Sequence, residues 1–236
     1  MSRHDLLPAC IIHRRDYRNT SLLLELFTPQ EGRLPAIARG VKSARSNRSA
    51  VLQPFTPLLV ALGGRGEIRQ LTHAESEGRS YPLSGDRLYC GFYLNELLMR
   101  LLERRDPFPP LYVHYVDTLR RLATGDPADR CLRDFELVLL QELGYGLLLD
   151  HTADTGEPVE PDGVYDYFIE QGPVRAASAR SDHQVHGRTL LCLHNRASMD
   201  EQCTAEAKRL MRRVLAFYLG DKPLKSRELF HGHKQP

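Results

Sequence analysis

The hydrophobic period of this 236-residue chain changes near residue 83, and that change restricts its fold more than any other feature. Before it, short apolar runs are cut by turn residues. After it, leucines recur three and four apart, the period of a helix. Leu6 to His13 is a continuous apolar run, and Arg14 to Asn19 reads as a polar loop. Ser21 to Phe27 (SLLLELF) is too rich in leucine for strict alternation, yet Thr28-Pro29-Gln30-Glu31-Gly32 ends it as a hairpin turn would. A third run covers Leu34–Val41. The fourth, Val51–Leu62, holds Pro54 and Pro57, which suit an edge or bulged strand better than a helix. Gly63-Gly64-Arg65-Gly66 then turns the chain into a fifth run, Glu67–Ala74. Five short strands in about 75 residues have the size of a small, partly open barrel, whose commonest five-stranded form is the OB-fold. Periodicity does not give the strand order.

Past residue 83, Leu88, Phe92, Leu94, Leu97, Leu98, Leu101 and Leu102 predict a helix ending near Arg105, before Pro107. Leu111, Tyr115, Leu119 and Leu122 mark a second, closed by Thr124-Gly125. A third opens at Asp126-Pro127 and runs through Leu132, Phe135, Leu139, Leu140 and Leu143 to Gly144. Residues 147–195 are mixed, with short strands expected at Tyr165–Ile169 and Thr189–His194. The last helix runs from about Asp200 to Leu219, with Leu210, Val214, Phe217 and Tyr218 inward and Lys208, Arg209, Arg212 and Arg213 outward. The expected class is α+β: a barrel domain at 1–80, then a mainly helical domain at 81–236 with an irregular insertion at 147–195.

Charge is segregated along this chain. Residues 1–80 hold 12 Lys/Arg against 7 Asp/Glu, residues 81–204 hold 12 against 20, and residues 205–236 hold 8 against 3. Basic ends around an acidic middle point to a polyanionic partner. Between Glu31 and Glu67 stand Arg33, Arg39, Lys42, Arg45, Arg48 and Arg65, with no acidic residue. Such side chains neutralise a phosphate backbone and release its counterions, an affinity that needs no particular base sequence. Few aromatics interleave, so phosphate contact is better supported than base stacking. The five cysteines (Cys10, Cys90, Cys131, Cys192, Cys203) are widely spaced with no Cys-x-x-Cys, as suits reduced thiols in a cytoplasm. No apolar run approaches the ~20 residues that span a bilayer. His183, His186, Cys192, His194 and Cys203 cluster in sequence, but their spacing matches no standard zinc site. No Gly-x-Ser-x-Gly and no phosphate-cradling Gly-x4-Gly-Lys-[Ser/Thr] occurs, so neither catalysis nor a nucleotide cofactor is expected.

Several stretches, in order, carry a resemblance: residues 13–40 (HRRDYRNTSLLLELFTPQEGRLPAIARG), LQPFTPLLV at 52–60 followed by GGRGE, YLNELL at 93–98, FELVLLQELGYG at 135–146 and KPLKSRELF at 222–230. Together they resemble the bacterial recombination mediator RecO, closest to its proteobacterial branch. The resemblance implies an N-terminal OB-fold and an α-helical C-terminal domain. It also implies binding of single- and double-stranded DNA and annealing of strands coated by single-stranded-DNA-binding protein (SSB). With RecR, such proteins assist RecA loading, in the cytoplasm on the nucleoid, without a nucleotide. The DNA-contacting residues it points to, with the charge map, are Arg14, Arg15, Arg33, Arg39, Lys42, Arg45, Arg48, Arg209, Arg212, Arg213, Lys222 and Lys225. For the acidic SSB tail they are Arg120, Arg121, Arg130, Arg133, Phe135 and Leu139. Zinc-bearing relatives carry Cys-x-x-Cys after the Gly-Tyr-Gly turn, where His151 and Asp154 stand here, so no structural zinc is expected. Two other classes compete: an adaptor whose OB domain binds only protein, and a hydrolase sited at 183–203.

Overall fold

The computed structural model describes residues 6–42, 48–78, 80–177 and 183–232. They fall into two compact units, one within Met1–Gly125 and Leu224–Pro236, the other within Asp126–Pro223. The period change near residue 83 falls between the last strand of the N-terminal sheet and the helix that follows it. The first compact unit continues through two further helices to Gly125 and recovers the chain at Leu224.

In the first unit, β1 (Leu7–Tyr17), β2 (Ser21–Thr28), β3 (Gly32–Ala38), β4 (Pro57–Gly63) and β5 (Arg69–Ser76) form a closed barrel. The order is β1-β2-β3-β5-β4, with β4 returning to β1 and only β3 and β5 parallel. This is the OB arrangement that the strand count suggested. Leu22, Leu24 and Leu26 of β2 point into the barrel with Ile11, Leu34, Ala36, Leu58 and Val60. Phe27 lies on the outer face yet is fully buried, because Tyr112 and Tyr115 of α3 (Pro109–Thr124) meet it edge-on at 5.5 and 6.1 Å. A strand buried on both faces has no reason to alternate, which accounts for SLLLELF.

Two strand boundaries differ from expectation. The apolar run beginning at Val51 is not one strand: a short helix, α1 (Arg48–Val51), precedes it, Phe55 takes a positive φ of 63°, and β4 starts at Pro57. Proline is tolerated there because the first residue of a strand need not donate to the ladder. Arg14 to Tyr17 belong to β1 rather than to a loop.

α2 (Asp86–Leu101) and the short α7 (Ser226–Gly232) complete this unit. Glu96 of α2 accepts from the backbone amides of Lys225 and Ser226 at 2.9 and 2.8 Å, capping α7 from another element. Gly32 (φ 62°) is required at the β2–β3 turn, since a Cβ there would lie 1.9 Å from the Asp106 carbonyl oxygen.

The second unit joins α4 (Ala128–Glu142), α5 (Gly187–His194) and α6 (Glu201–Leu219) to a small antiparallel sheet. Its strands are β6 (Val164–Phe168), β7 (Gly172–Arg175) and β8 (Gln184–His186), in the order β7-β6-β8. Residues 189–194, expected as a strand, are helical: the buried Gly187, Leu190 and Leu193 stand three apart. Asp200 caps α6 through the Cys203 amide at 2.7 Å. Phe217 of α6, expected inward, is 54% exposed. Among the described residues no helix is long and apolar enough to cross a membrane.

Candidate nucleic-acid interface

A β-bulge between Ile11 and His13 decides which side chains of β1 face outward. Beyond it, Arg15 opposes Leu23 and Tyr17 opposes Ser21, while Arg14 opposes the inward Leu24 and Asp16 opposes the inward Leu22. Directly opposed residues share a face, so Arg15 and Tyr17 lie on the outer surface of β1, β2 and β3. That surface has two halves. Around Phe27 it is sealed by α3; around Tyr17, Ser21, Ile37 and Arg39 it is an open groove of about 480 Å³, reaching to Arg18, Asn19, Thr20 and Gly40. Arg18 turns the β1–β2 hairpin at φ 54°, with its guanidinium carbon 5.4 Å from the Tyr17 ring centre. Arg15, Arg18 and Arg39 are exposed, and none meets a carboxylate among the described residues. The β4–β5 loop is held by Arg105, whose guanidinium donates to the carbonyls of Gly66 and Glu67 at 2.8 and 3.3 Å. OB-folds take oligonucleotides on the β2–β3 face and on these two loops.

The basic residues expected to contact DNA divide sharply by environment. Arg14 is exposed but donates to the Leu52 carbonyl at 3.0 Å. Lys42 is bonded to Asp16 at 2.5 Å, so its charge is already answered. Arg33 is set under the outer face: its side chain is 14% exposed, beside Glu25, which also accepts from Arg104 at 2.6 Å. Burial pulls the Arg33 guanidinium below its ordinary range, with Glu25 opposing. A buried, paired arginine offers nothing to a phosphate, so Arg33 leaves the contact set, while Lys42 stays exposed beside Asp16. Arg45 lies outside the described residues, and Arg48 begins α1 with its side chain outside them.

In the second unit, Arg209 and Arg212 are exposed on α6. Arg213 is engaged with the Tyr167 carbonyl at 2.8 Å and the His183 ring at 2.6 Å. Lys222 is exposed in this unit, and Lys225 is exposed in the first.

Of the residues assigned to the SSB tail, Arg120 sits on α3 bonded to Asp117 at 2.6 and 3.0 Å, and Arg121 is half-buried beside it. On α4, Arg130 is exposed and donates to the Arg196 carbonyl at 2.9 Å. Arg133 is buried against Glu136, and Phe135 and Leu139 are fully buried. Three-residue spacing put Arg130 and Arg133 on one face, yet Arg133 is buried with its ion-pair partner Glu136 while Arg130 is exposed.

Family models settle the identity of the chain. Residues 1–78 match the one described as Recombination protein O N terminal, and residues 82–228 match Recombination protein O C terminal. The chain belongs to the RecO family. Curated relatives span it almost completely. It is 51% identical to the DNA repair protein RecO of Methylococcus capsulatus over 97% of this chain and 94% of that one. It is 48% identical to the DNA repair protein RecO of Nitrosococcus oceani, covering 95% and 92% of the two chains. For the Yersinia pestis protein of the same name the identity is 46%, over 94% and 92%.

In this RecO-family chain the 147–195 segment is pinned by polar contacts. Glu206 of α6 accepts from the His186 ring at 2.7 Å, the His186 amide at 3.1 Å and Thr189 at 2.8 Å. Asp150 meets His151 at 3.1 Å and His194 at 3.8 Å. Among the described residues no group of three His, Cys, Asp or Glu side chains is placed to share a metal ion.

Arg18 and Tyr17 were not among the sequence-derived contacts. Their signal was present in Tyr-Arg-Asn-Thr, an aromatic and a cation at the tip between two strands, but it became visible only with β1 extended to Tyr17.

Proposed function

We propose that this protein acts in DNA repair as a recombination mediator that binds single- and double-stranded DNA and pairs complementary strands. The observation that carries the reading is the groove of Tyr17, Arg18, Ser21, Ile37 and Arg39 on the open half of the β2–β3 face. Its exposed cations Arg18 and Arg39, with Arg15 on the same outer surface, meet phosphates, while Tyr17 offers a ring beside them. The barrel domain, 1–80, is the DNA-binding part in this proposal. The 81–236 domain recruits partners, taking the acidic SSB tail along basic helix surfaces that include Arg130. Holding that tail brings the protein to coated DNA and raises its effective concentration there. Fixed cations then screen the repulsion between two approaching strands. No bond is made or broken and no nucleotide is used. RecR is the partner with which RecA is loaded, on the nucleoid in the cytoplasm.

The decisive experiment is annealing of complementary oligonucleotides coated with SSB, without ATP, comparing intact SSB with SSB lacking its tail. The protein should accelerate pairing, and loss of the tail should remove most of the acceleration on coated strands. Absence of any acceleration, together with failure to shift a labelled single-stranded oligonucleotide, would leave the barrel as a protein-binding module.

A further inference from the structure

The second unit has an aromatic cleft that the foregoing does not use. Tyr145, just past α4, stacks on Tyr218 of α6 with ring centres 4.2 Å apart and planes 16° from parallel. Tyr145 is 43% exposed although one face of its ring is taken by Tyr218. Beside them opens a cleft of about 270 Å³ lined by Tyr145, Leu148, Tyr167, Gln171 and Tyr218. Phe217 stands edge-on to Tyr218 at 5.1 Å and is 54% exposed. So much apolar ring left in water, next to a ring pair already stacked, marks a place where another flat group is received.

The charge around the cleft says what that group belongs to. From Ala207 to Leu219 α6 carries Lys208, Arg209, Arg212 and Arg213 and no acid. Arg209, Arg213 and Phe217 are four apart, so they line one side of the helix. Arg213 also ties this side to the cleft, since it donates to the backbone of Tyr167. Glu170, in the β6–β7 turn, also lines the cleft and repels phosphate from its own edge of it. Rings for bases with cations along one flank are the chemistry of single-strand capture. A duplex keeps its base faces stacked inside and has none to offer.

We propose that this cleft takes an unpaired nucleobase stacked against the Tyr145–Tyr218 pair, with a neighbouring phosphate of the strand on Arg209, along the side of α6 that carries Phe217. The proposal rests on the DNA-binding reading above and adds a second, strand-selective contact remote in sequence from the barrel groove.

The test uses the full chain and a fluorescent oligothymidylate, with the matching duplex as comparison, at several salt concentrations. Tyr145→Ala and Phe217→Ala should each weaken single-strand binding about tenfold, leaving the salt slope and the duplex affinity unchanged. Tyr145→Phe, which keeps the ring, should bind as the parent does. Phe217 is so exposed that its removal leaves the fold intact even if Tyr145→Ala is unstable. Substituting 5-bromouracil for thymine should give light-induced cross-links to peptides containing residue 145 or 217. If the parent binds but both alanine variants match it, or cross-links arise only elsewhere, the cleft proposal is overturned and the barrel reading stands. If the parent binds no oligonucleotide, both fall.

Discussion

Removing Arg15, Arg18 and Arg39 together separates groove-driven binding from the mere presence of positive charge. All three are exposed without a carboxylate partner among the described residues, and Arg18 and Arg39 line the groove directly. Each phosphate contact to a single strand contributes about 0.7 to the slope of log K against log salt concentration, so three contacts account for about 2. Between 50 and 200 mM salt the parent should therefore lose about twentyfold more affinity than the Arg15→Ala/Arg18→Ala/Arg39→Ala variant. Fluorescence anisotropy of a labelled single-stranded oligonucleotide, titrated at four salt concentrations, measures both slopes. The comparison protein is Arg33→Met, which removes one positive charge from a buried position. It should lower stability by about 1–3 kcal/mol through loss of the Glu25 contact while leaving the salt slope unaltered. Identical slopes for parent and triple variant would refute the groove as the phosphate contact. A flattened slope in Arg33→Met would refute the reasoning from burial.

The remaining expectations concern the scaffold. Phe27→Ala empties the space between β2 and the α3 tyrosines and should cost about 3–5 kcal/mol in urea denaturation; a loss under 1 kcal/mol would mean α3 does not seal that face. Burial alone would raise the Glu96 carboxyl, but hydrogen bonds from Ser226 and Lys225 outweigh it and hold the group below its ordinary range. A depressed carboxyl stabilises above the unfolded pKa and stops doing so as pH falls through the folded one. Amide exchange at Lys225 and Ser226 should therefore accelerate relative to the barrel as the solution is acidified below pH 4.5, and Glu96→Gln should blunt that dependence. Burial pushes the Cys10 thiol up to about 12, with the Tyr112 hydroxyl bond pulling weakly the other way. Cys10 should thus resist thiol reagents at neutral pH until the protein unfolds, whereas the partly exposed Cys192 reacts early; mass mapping of labelled peptides reads the order.

What could be read from residue order was what local chemistry determines. Five strands, the helix ends at Thr124-Gly125, and the start of α6 at Asp200 all follow from turn and cap residues within a few positions. Thr189–His194 failed because a short apolar run reads equally as strand or helix until its packing partners are known. Val51–Leu62 failed because the positive φ at Phe55 breaks the chain at a residue whose type carries no such signal. In the candidate site, basicity was legible but availability was not. Arg33 is buried beside Glu25 of β2 and Lys42 is paired with Asp16 of β1, whereas Arg39 is exposed without either. The facing of Arg15 turns on a bulge, which one extra residue creates and no composition announces.

The return of α7 to the first unit orders events during synthesis. Leu224, almost fully buried, and the Lys225–Ser226 amides that Glu96 receives are translated only after Asp126–Pro223. The barrel-bearing unit therefore waits, without the amides that Glu96 of α2 accepts from, until that segment emerges. Clipping the C-terminal segment would consequently wound the unit built at the opposite end of the polypeptide.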